Sequence, residues 1–150
     1  VMSILVSVKK SAKKVVGVEI DSCTADMSRR SVKMNHLDDK IQIVTGDVKD
    51  VKALLTAGSF DKAICNPPYF GGDDGLEKTS QRAVARKQGD CTLNDFVFAA
   101  SYALKNGGDF FIVYKADRLV ELITTLHQNG LEPKHITYVH KRGIIVSYRS

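Results

Sequence analysis

Short apolar runs alternate with segments of helical periodicity along most of this chain, a pattern typical of α/β proteins. The apolar runs predict six strands: Val15–Ile20, Ile41–Val44, Lys62–Cys65, Phe110–Tyr114, Ile136–Val139 and Ile144–Tyr148. The intervening segments predict helices from Ser22 to about Met34, around Val51–Ala57, over Leu93–Leu104 and over Leu119–Leu126. The chain is therefore predicted to have the order β-α-β-α-β-α-β-α-β-β.

Local signals mark the ends of these helices. Asp21 or Ser22 can cap the first helix, and Thr92 begins a capping-box pattern with aspartate as its fourth residue. Glycines favour the backbone conformation that closes a helix. We therefore expect Asn106–Gly108 to end the third helix and Gly130 to end the fourth.

The connections between the predicted strands determine the fold class. Strands separated by a helix pair in parallel, whereas the short turn His140–Gly143 is compatible only with an antiparallel pair. We predict a Rossmann-like α/β fold with a mostly parallel, doubly wound sheet and a C-terminal antiparallel hairpin. We expect residues 1–150 to form a single domain, since 150 residues can bury one sizeable core.

Composition narrows the class of protein further. No apolar run approaches the roughly 20 residues that span a bilayer, so we expect no membrane partner. The three cysteines are odd in number and widely spaced, which favours free thiols in the cytoplasm. The four histidines have no metal-ligand spacing, so we expect no metal. The net charge of +5 weakly favours a polyanionic partner.

The segment Asn66–Phe70, of sequence Asn-Pro-Pro-Tyr-Phe, is the most informative motif in the chain. It follows the apolar run Ala63–Cys65, and neither proline can donate a hydrogen bond to a β-ladder. The strand must therefore end there, which places an amide and an aromatic ring at its carboxyl end. Ligands of open α/β sheets bind at that edge.

This motif and the sheet pattern together resemble class I S-adenosylmethionine-dependent methyltransferases. Within them, the chain is similar to the family that methylates the exocyclic N6 of an adenine in tRNA. The resemblance covers nearly all of the chain. The segments that carry it are Val16–Ile20, Asn66–Phe70, Ala85-Arg86, Cys91–Leu93 and Asp117–Leu119.

The resemblance implies that the catalytic residues are Asn66, Pro67, Pro68 and Tyr69. An exocyclic amine on an aromatic ring is a poor nucleophile, because its lone pair is delocalised into the ring. The Asn66 side-chain oxygen and the Pro67 carbonyl can accept its two N–H groups and localise the lone pair by positioning and electrostatics. Tyr69 would stack on the unstacked base.

The resemblance also implies the cofactor, S-adenosylmethionine, and its ligands. Glu19 ends a strand at the position whose acid accepts hydrogen bonds from the ribose hydroxyls. Asp47 is similar to the acid that contacts the adenine amino group. Ile20 and Val48 follow these acids, and Asn66 borders the same site.

Expected contacts with tRNA lie in and around the polar segment Gly71–Asp90. This segment is either an ordinary mobile surface loop or a segment that orders over the base and contacts phosphate. The candidate RNA-binding residues are Phe70, Arg82, Arg86, Lys115 and Arg118.

One feature of the family is absent from this sequence. The family places a strand and a glycine-rich loop before the helix that precedes Val15, whereas Val1–Lys10 is similar only to the end of that helix. We therefore expect these 150 residues to be part of a longer chain, with its first strand missing here.

Three functions remain open at this point. The first is N6-methylation of adenine in tRNA. The second keeps the chemistry and changes the substrate, to a glutamine amide in a protein of the release-factor type or to adenine in DNA. The third is a non-catalytic RNA-binding protein that has lost its cofactor loop.

Overall fold

The computed structural model describes residues 12–68, 91–139 and 145–149. The strands of these residues are β1 Val15–Glu19, β2 Ile41–Thr45, β3 Phe60–Cys65, β4 Leu104–Ile112, β5 His135–Val139 and β6 Ile145–Arg149. Their helices are α1 Ser22–Met34, α2 Val51–Leu54, α3 Leu93–Ala103 and α4 Leu119–Gln128. Single 3₁₀ turns, Val48–Asp50 and Ala116–Arg118, precede α2 and α4. The predicted order of strands and helices is confirmed.

The chain divides into two compact units. The first contains β1, α1, β2 and α2, and the second contains the remaining described elements. Each unit contains one parallel strand pair, β1–β2 in the first and β3–β4 in the second.

The first unit is a β-α-β arrangement held in register from Val15↔Ile41 to Glu19↔Thr45. Its helix α1 begins as predicted at Asp21, whose carboxylate accepts the Thr24 N–H at 2.7 Å. This bond lowers the pKa of Asp21, because it stabilises the charged carboxylate. Helix α1 packs against β2, and among the described residues of this unit Ala25, Val32, Ile41 and Val51 are buried.

The second unit is built on a cluster of buried side chains from α3 and α4: Leu93, Val97, Leu122 and Leu126. Phe110, Ile112 and Tyr114 pack against this cluster. Because successive side chains of a strand point to opposite faces, Ile64 and Phe111 lie on the other face of the β3–β4 pair, where each is about half exposed.

Helix α3 ends at Ala103, earlier than the glycines predicted. Its apolar periodicity continues to Leu104, but the N–H groups of Gly58 and Ser59 bind the carbonyls of Tyr102 and Ala103 at 3.0 and 2.9 Å. These carbonyls are thus satisfied by the turn before β3, and Leu104 adopts an extended conformation that begins β4.

The glycines instead form an irregularity in β4. The register jumps from Phe60↔Leu104 to Lys62↔Asp109, so β4 contains extra residues there. Gly107 has φ of +76°, which glycine adopts without strain. A side chain on Gly108 would lie 3.1 Å from the Asp61 carbonyl. Glycine therefore lets the two strands approach each other without a displacement of that carbonyl.

The last two strands form the predicted antiparallel hairpin, with register from His135↔Arg149 to Val139↔Ile145. Its connecting residues lie outside the described part of the chain. None of the helices described in this structure is long and apolar enough to cross a membrane.

The capping box of α3 provides a test of the fold. The Thr92 hydroxyl faces the Asp95 N–H at 3.4 Å, and the Asp95 carboxylate accepts the Thr92 N–H at 2.7 Å. Thr92→Ala removes the first bond and the 2.9 Å bond that the Thr92 hydroxyl donates to the Asp95 carboxylate, and is expected to lower the free energy of unfolding by about 1 kcal/mol. Urea unfolding followed by circular dichroism measures this change.

Thr124→Ala is the matched control. Thr124 is exposed within α4, and its hydroxyl donates to the Val120 carbonyl one turn earlier. Alanine has the higher helix propensity, so this variant should unfold within about 0.5 kcal/mol of the parent protein. Equal stability of the Thr92→Ala variant and the parent would contradict the capping role.

Candidate functional site

The first group of candidate residues lies at the carboxyl edge of the β1–β2 pair. The Gly46 N–H donates to the Glu19 carbonyl at 3.0 Å, directly after the last registered pair, Glu19↔Thr45. The parallel ladder therefore brings Glu19 and Ile20 to the same edge as Asp47 and Val48. Sequence reasoning predicted these residues one by one, and the structure brings them together within the first unit.

Glu19 presents a half-buried carboxylate at this edge. Its Oε1 accepts the Asp21 N–H at 3.3 Å, which is the carboxylate's one hydrogen bond within the described residues. A carboxylate has about four lone-pair sites, so most of its acceptor capacity remains. It can accept two hydrogen bonds from a vicinal diol.

Asp47 combines a local role with its position at the edge. Its Oδ1 accepts the Lys49 N–H at 2.9 Å and caps the turn Val48–Asp50, and the Lys49 ammonium lies 3.7 Å from Oδ2. The side chain is only 19% exposed. The carboxylate is therefore held in one orientation by its own turn.

Glycine at position 46 allows this turn to lie close to α2. A Cβ placed on Gly46 would lie 2.8 Å from both terminal methyl carbons of Leu54. This distance is shorter than real Cβ contacts, so Leu54 would have to move. Glycine at position 46 thus allows close packing against α2, and Asp47 forms the turn that follows.

Arg29 of α1 holds the end of β2 from its other edge. Lys40 and Gly46 bond to β1, so the alternation of a strand turns the Ile43 carbonyl to the opposite edge. The Arg29 Nε donates to that carbonyl at 3.3 Å, and its Nη2 donates to the Thr45 hydroxyl. Sequence reasoning missed Arg29, because a distant strand supplies its acceptors.

The second group lies at the carboxyl edge of the β3–β4 pair. The Val113 N–H donates to the Cys65 carbonyl at 3.1 Å, just beyond the last registered pair, Cys65↔Ile112. Asn66 and Tyr114 therefore leave neighbouring strands at the same edge. Pro67 is among the most deeply buried side chains described, whereas Asn66 and Pro68 are exposed.

Tyr114, Arg118 and Glu121 form a cluster beyond β4. The Arg118 guanidinium lies over the Tyr114 ring, 5.7 Å from its centroid, and binds both oxygens of Glu121 at 2.6 and 2.8 Å. Burial, followed by the Glu121 charge, raises the pKa of Tyr114. Sequence reasoning identified Arg118 and its neighbour Lys115 but missed the other two. The i, i+3 spacing of Arg118 and Glu121 is the sequence feature that could have indicated their ion pair.

Cys65, the last residue of β3, is half-buried next to Asn66. Burial raises the pKa of its thiol to about 11, because a thiolate is poorly solvated there. The thiol is therefore neutral at physiological pH. Since the thiolate is the nucleophilic form, Cys65 does not offer a competing nucleophile beside Asn66.

Other predicted residues fall outside this description. Tyr69, Phe70, Arg82 and Arg86 lie outside the described residues. Among the residues that the structure describes, no group of three or more histidine, cysteine or acidic side chains could hold a metal ion.

Comparison with known proteins identifies related sequences and folds. The family model of the TRM5/TYW2 methyltransferase domain matches residues 1–86. Two tRNA1(Val) (adenine(37)-N6)-methyltransferases are similar to the chain. The Porphyromonas gingivalis protein is 30% identical over 73% of this chain and 43% of its own length. The Shewanella putrefaciens protein is 27% identical over 85% of this chain and 54% of its own length.

A solved structure, the METTL16 methyltransferase domain, shares the fold. It aligns with a TM-score of 0.62 and 17% identity over 98% of this chain and 53% of that domain. This likeness confirms the Rossmann-like α/β class predicted from the sequence. The chain spans about half the length of the curated relatives it matches.

The raised pKa of Cys65 predicts selective alkylation of the thiols. At pH 8 a thiol of pKa about 11 is about 0.1% thiolate, so iodoacetamide should label Cys65 slowly. Exposed Cys23 should be labelled at least tenfold faster. Peptide mass spectrometry over time measures both rates. Equal labelling of the two thiols at pH 8 would contradict the neutral state of Cys65.

Proposed function

We propose that this chain, which belongs to the TRM5/TYW2 methyltransferase domain family, transfers a methyl group from S-adenosylmethionine to the N6 of an adenine in tRNA. The family resemblance predicted from the sequence is confirmed by the matching relatives. The proposed substrate is the one that the names of these relatives state. We further propose that both units belong to one methyltransferase domain and that the protein acts in the cytoplasm.

One observation carries the catalytic part of this proposal. Strand β3 pairs with β4 up to Cys65, and the next residues are the exposed Asn66 and the buried Pro67. The two prolines end the ladder, so the chain leaves the sheet with an amide side chain and a main-chain carbonyl in succession. Two successive acceptors at the carboxyl edge of a sheet suit a ligand with two N–H donors.

These acceptors supply what an aromatic amine needs. In the proposed reaction, the Asn66 Oδ1 and the Pro67 carbonyl each accept one N–H of the exocyclic amine. The nitrogen then moves toward tetrahedral geometry, and its lone pair is no longer delocalised into the ring. Positioning of this kind lowers the barrier without a strong general base. The proton lost from nitrogen passes to solvent.

The first unit fits the cofactor. S-adenosylmethionine, when bound, supplies an electrophilic methyl group on a sulfonium sulfur. Glu19 has the acceptor capacity to bind both ribose hydroxyls of its nucleoside. Asp47 is oriented by its own turn for the adenine amino group, and Ile20 and Val48 would line the same edge.

A further set of side chains is proposed to hold the RNA. Tyr69 is proposed to stack on the flipped adenine, because base–aromatic stacking tolerates any base and favours an unstacked one. Phe70, Arg82 and Arg86 are proposed RNA contacts from sequence alone. Lys115 and Arg118 follow β4 at the edge where Asn66 leaves β3.

A labelled-methyl assay distinguishes the candidate substrates. The purified protein is incubated with methyl-labelled S-adenosylmethionine and, separately, unmodified total tRNA, a release factor or DNA. We expect label in N6-methyladenosine of tRNA, identified by chromatography of the digested nucleosides. Label only in glutamine of the release factor, or only in DNA, would overturn the tRNA assignment. Cofactor binding without transfer to any of the three would point to a different substrate, whereas a protein that binds no cofactor would favour the non-catalytic alternative.

Asn66→Ala tests the proposed acceptor. The variant keeps the backbone carbonyls but loses one of the two groups that hold the amine. We expect kcat to fall by about 10²–10³-fold, while the dissociation constant of S-adenosylhomocysteine changes by less than about threefold. Transfer kinetics and isothermal titration calorimetry measure the two quantities.

Asn106→Ala is the control for that substitution, since Asn106 is an exposed asparagine in the irregular segment of β4. Its kcat should stay within about twofold of the parent value. An Asn66→Ala variant with unchanged kcat would refute the proposed mechanism.

Glu19→Gln tests the proposed cofactor site. The glutamine keeps the shape and one acceptor oxygen but loses the charge that strengthens hydrogen bonds to the ribose. We expect S-adenosylhomocysteine to bind about tenfold more weakly, as measured by calorimetry. Glu132→Gln removes an exposed carboxylate paired with Lys134 and should leave that affinity unchanged. Equal affinities of the two variants would exclude Glu19 from the cofactor site.

A further inference from the structure

The cluster of Tyr114, Arg118 and Glu121 holds an arginine side chain in one orientation. Two hydrogen-bonded contacts join the guanidinium to the carboxylate, Nε to Oε2 at 2.6 Å and Nη2 to Oε1 at 2.8 Å. A two-point contact of this kind fixes the guanidinium plane as well as its position. The same guanidinium lies over the Tyr114 ring.

Tyr114 is itself anchored in the second unit. It packs against the buried cluster of α3 and α4, which includes Leu122 and Leu126. Its position along the chain also leaves little freedom, since β4 ends at Ile112 and the turn Ala116–Arg118 follows. The buried cluster therefore fixes the phenol ring of Tyr114, and this ring in turn supports the Arg118 guanidinium.

The charge of Arg118 is largely matched by Glu121. A phosphate contact would have to compete with a carboxylate already bound at two points, so this arginine is a poor phosphate ligand. The ion pair uses N–H groups at the edge of the guanidinium and not its planar face. The side chain remains 29% exposed, and nucleobases stack on arginine planes as they do on aromatic rings.

The cluster lies next to the proposed acceptor. The hydrogen bond from the Val113 N–H to the Cys65 carbonyl joins the two strands at their carboxyl ends, where Asn66 and Tyr114 follow. Neighbouring strands lie about 4.8 Å apart, and successive stacked bases are a few ångströms apart. A nucleotide beside the target adenine is therefore within reach of the cluster.

We propose that Arg118, held over Tyr114 by Glu121, is a stacking platform for the base adjacent to the target adenine. The inference rests on the proposed function and specifies its substrate as an unpaired RNA segment with an accessible neighbouring base. Arg118 then acts as a specificity residue that positions the RNA through a base, and its charge serves mainly to keep the plane in place.

The test uses short single-stranded oligoribonucleotides with one adenine, either intact or with an abasic site on one side of it. Binding is measured by fluorescence anisotropy at several salt concentrations with S-adenosylhomocysteine present. Arg118→Lys keeps the charge and loses the plane, so it should bind the intact RNA about tenfold more weakly with an unchanged salt slope. On the RNA that lacks the stacked base, the dissociation constants of the parent protein and the variant should agree within about twofold.

Two further variants complete the comparison. Arg30→Lys makes the same substitution at an exposed arginine of the first unit and should leave affinity unchanged. Glu121→Gln keeps Arg118 but releases its guanidinium from the ion pair. This variant should show a smaller difference in affinity between intact and abasic RNA than the parent protein does. Thermal melting of each variant separates these effects from loss of fold.

Other results would overturn the stacking proposal or the proposed function. If Arg118→Lys binds like the parent protein and Arg118→Ala lowers the salt slope by about one, then Arg118 contacts phosphate and the stacking proposal is wrong. If the parent protein methylates tRNA and Arg118→Lys discriminates abasic RNA as the parent does, only this inference fails. If the parent binds no RNA and methylates none, the proposed function fails with it.

Discussion

The parallel ladder between β3 and β4 is the constraint on which the proposed amine-binding site depends. Its register runs to Cys65↔Ile112, and one more hydrogen bond joins Val113 to Cys65. Prolines then remove the donors that further pairing would need. Because pairing stops abruptly, Asn66 leaves the sheet at a fixed point, and the residues after β4 leave beside it. The buried cluster of α3 and α4 supports this edge from one face.

In the first unit, as in the second, the candidate side chains lie where two parallel strands end, but here they are carboxylates. Parallel strands β1 and β2 end at one edge, where β1 ends with Glu19 and Asp47 lies two residues after the end of β2. Local bonds then give the two acids different surroundings: Glu19 retains most of its acceptor capacity, whereas Asp47 caps its own turn. Arg29 binds the end of β2, and Gly46 lies close to Leu54 of α2. An acid with spare acceptors suits a diol, and an oriented acid suits an amino group.

Much of this arrangement could be predicted from the sequence, because it depends on local rules. The side chain of Asp21 caps the first turn of α1, so the helix begins there. The two prolines have no N–H for the ladder, so β3 ends before them. The end of α3 could not be predicted, since its last carbonyls are bound by Gly58 and Ser59, which come more than 40 residues earlier in the chain. The cluster at Arg118 was missed for a similar reason. Its spacing to Glu121 is local, but its meaning depends on Tyr114 being anchored by the helices of the second unit.

The central claim is that Asn66 and Pro67 supply paired acceptors for an exocyclic amine. A crystal structure of the protein with S-adenosylhomocysteine and an adenine-containing RNA oligonucleotide tests it most directly. The account predicts the adenine N6 at hydrogen-bonding distance, about 2.7–3.2 Å, from both the Asn66 Oδ1 and the Pro67 carbonyl. An adenine bound elsewhere, or an N6 that contacts neither oxygen, would contradict the account.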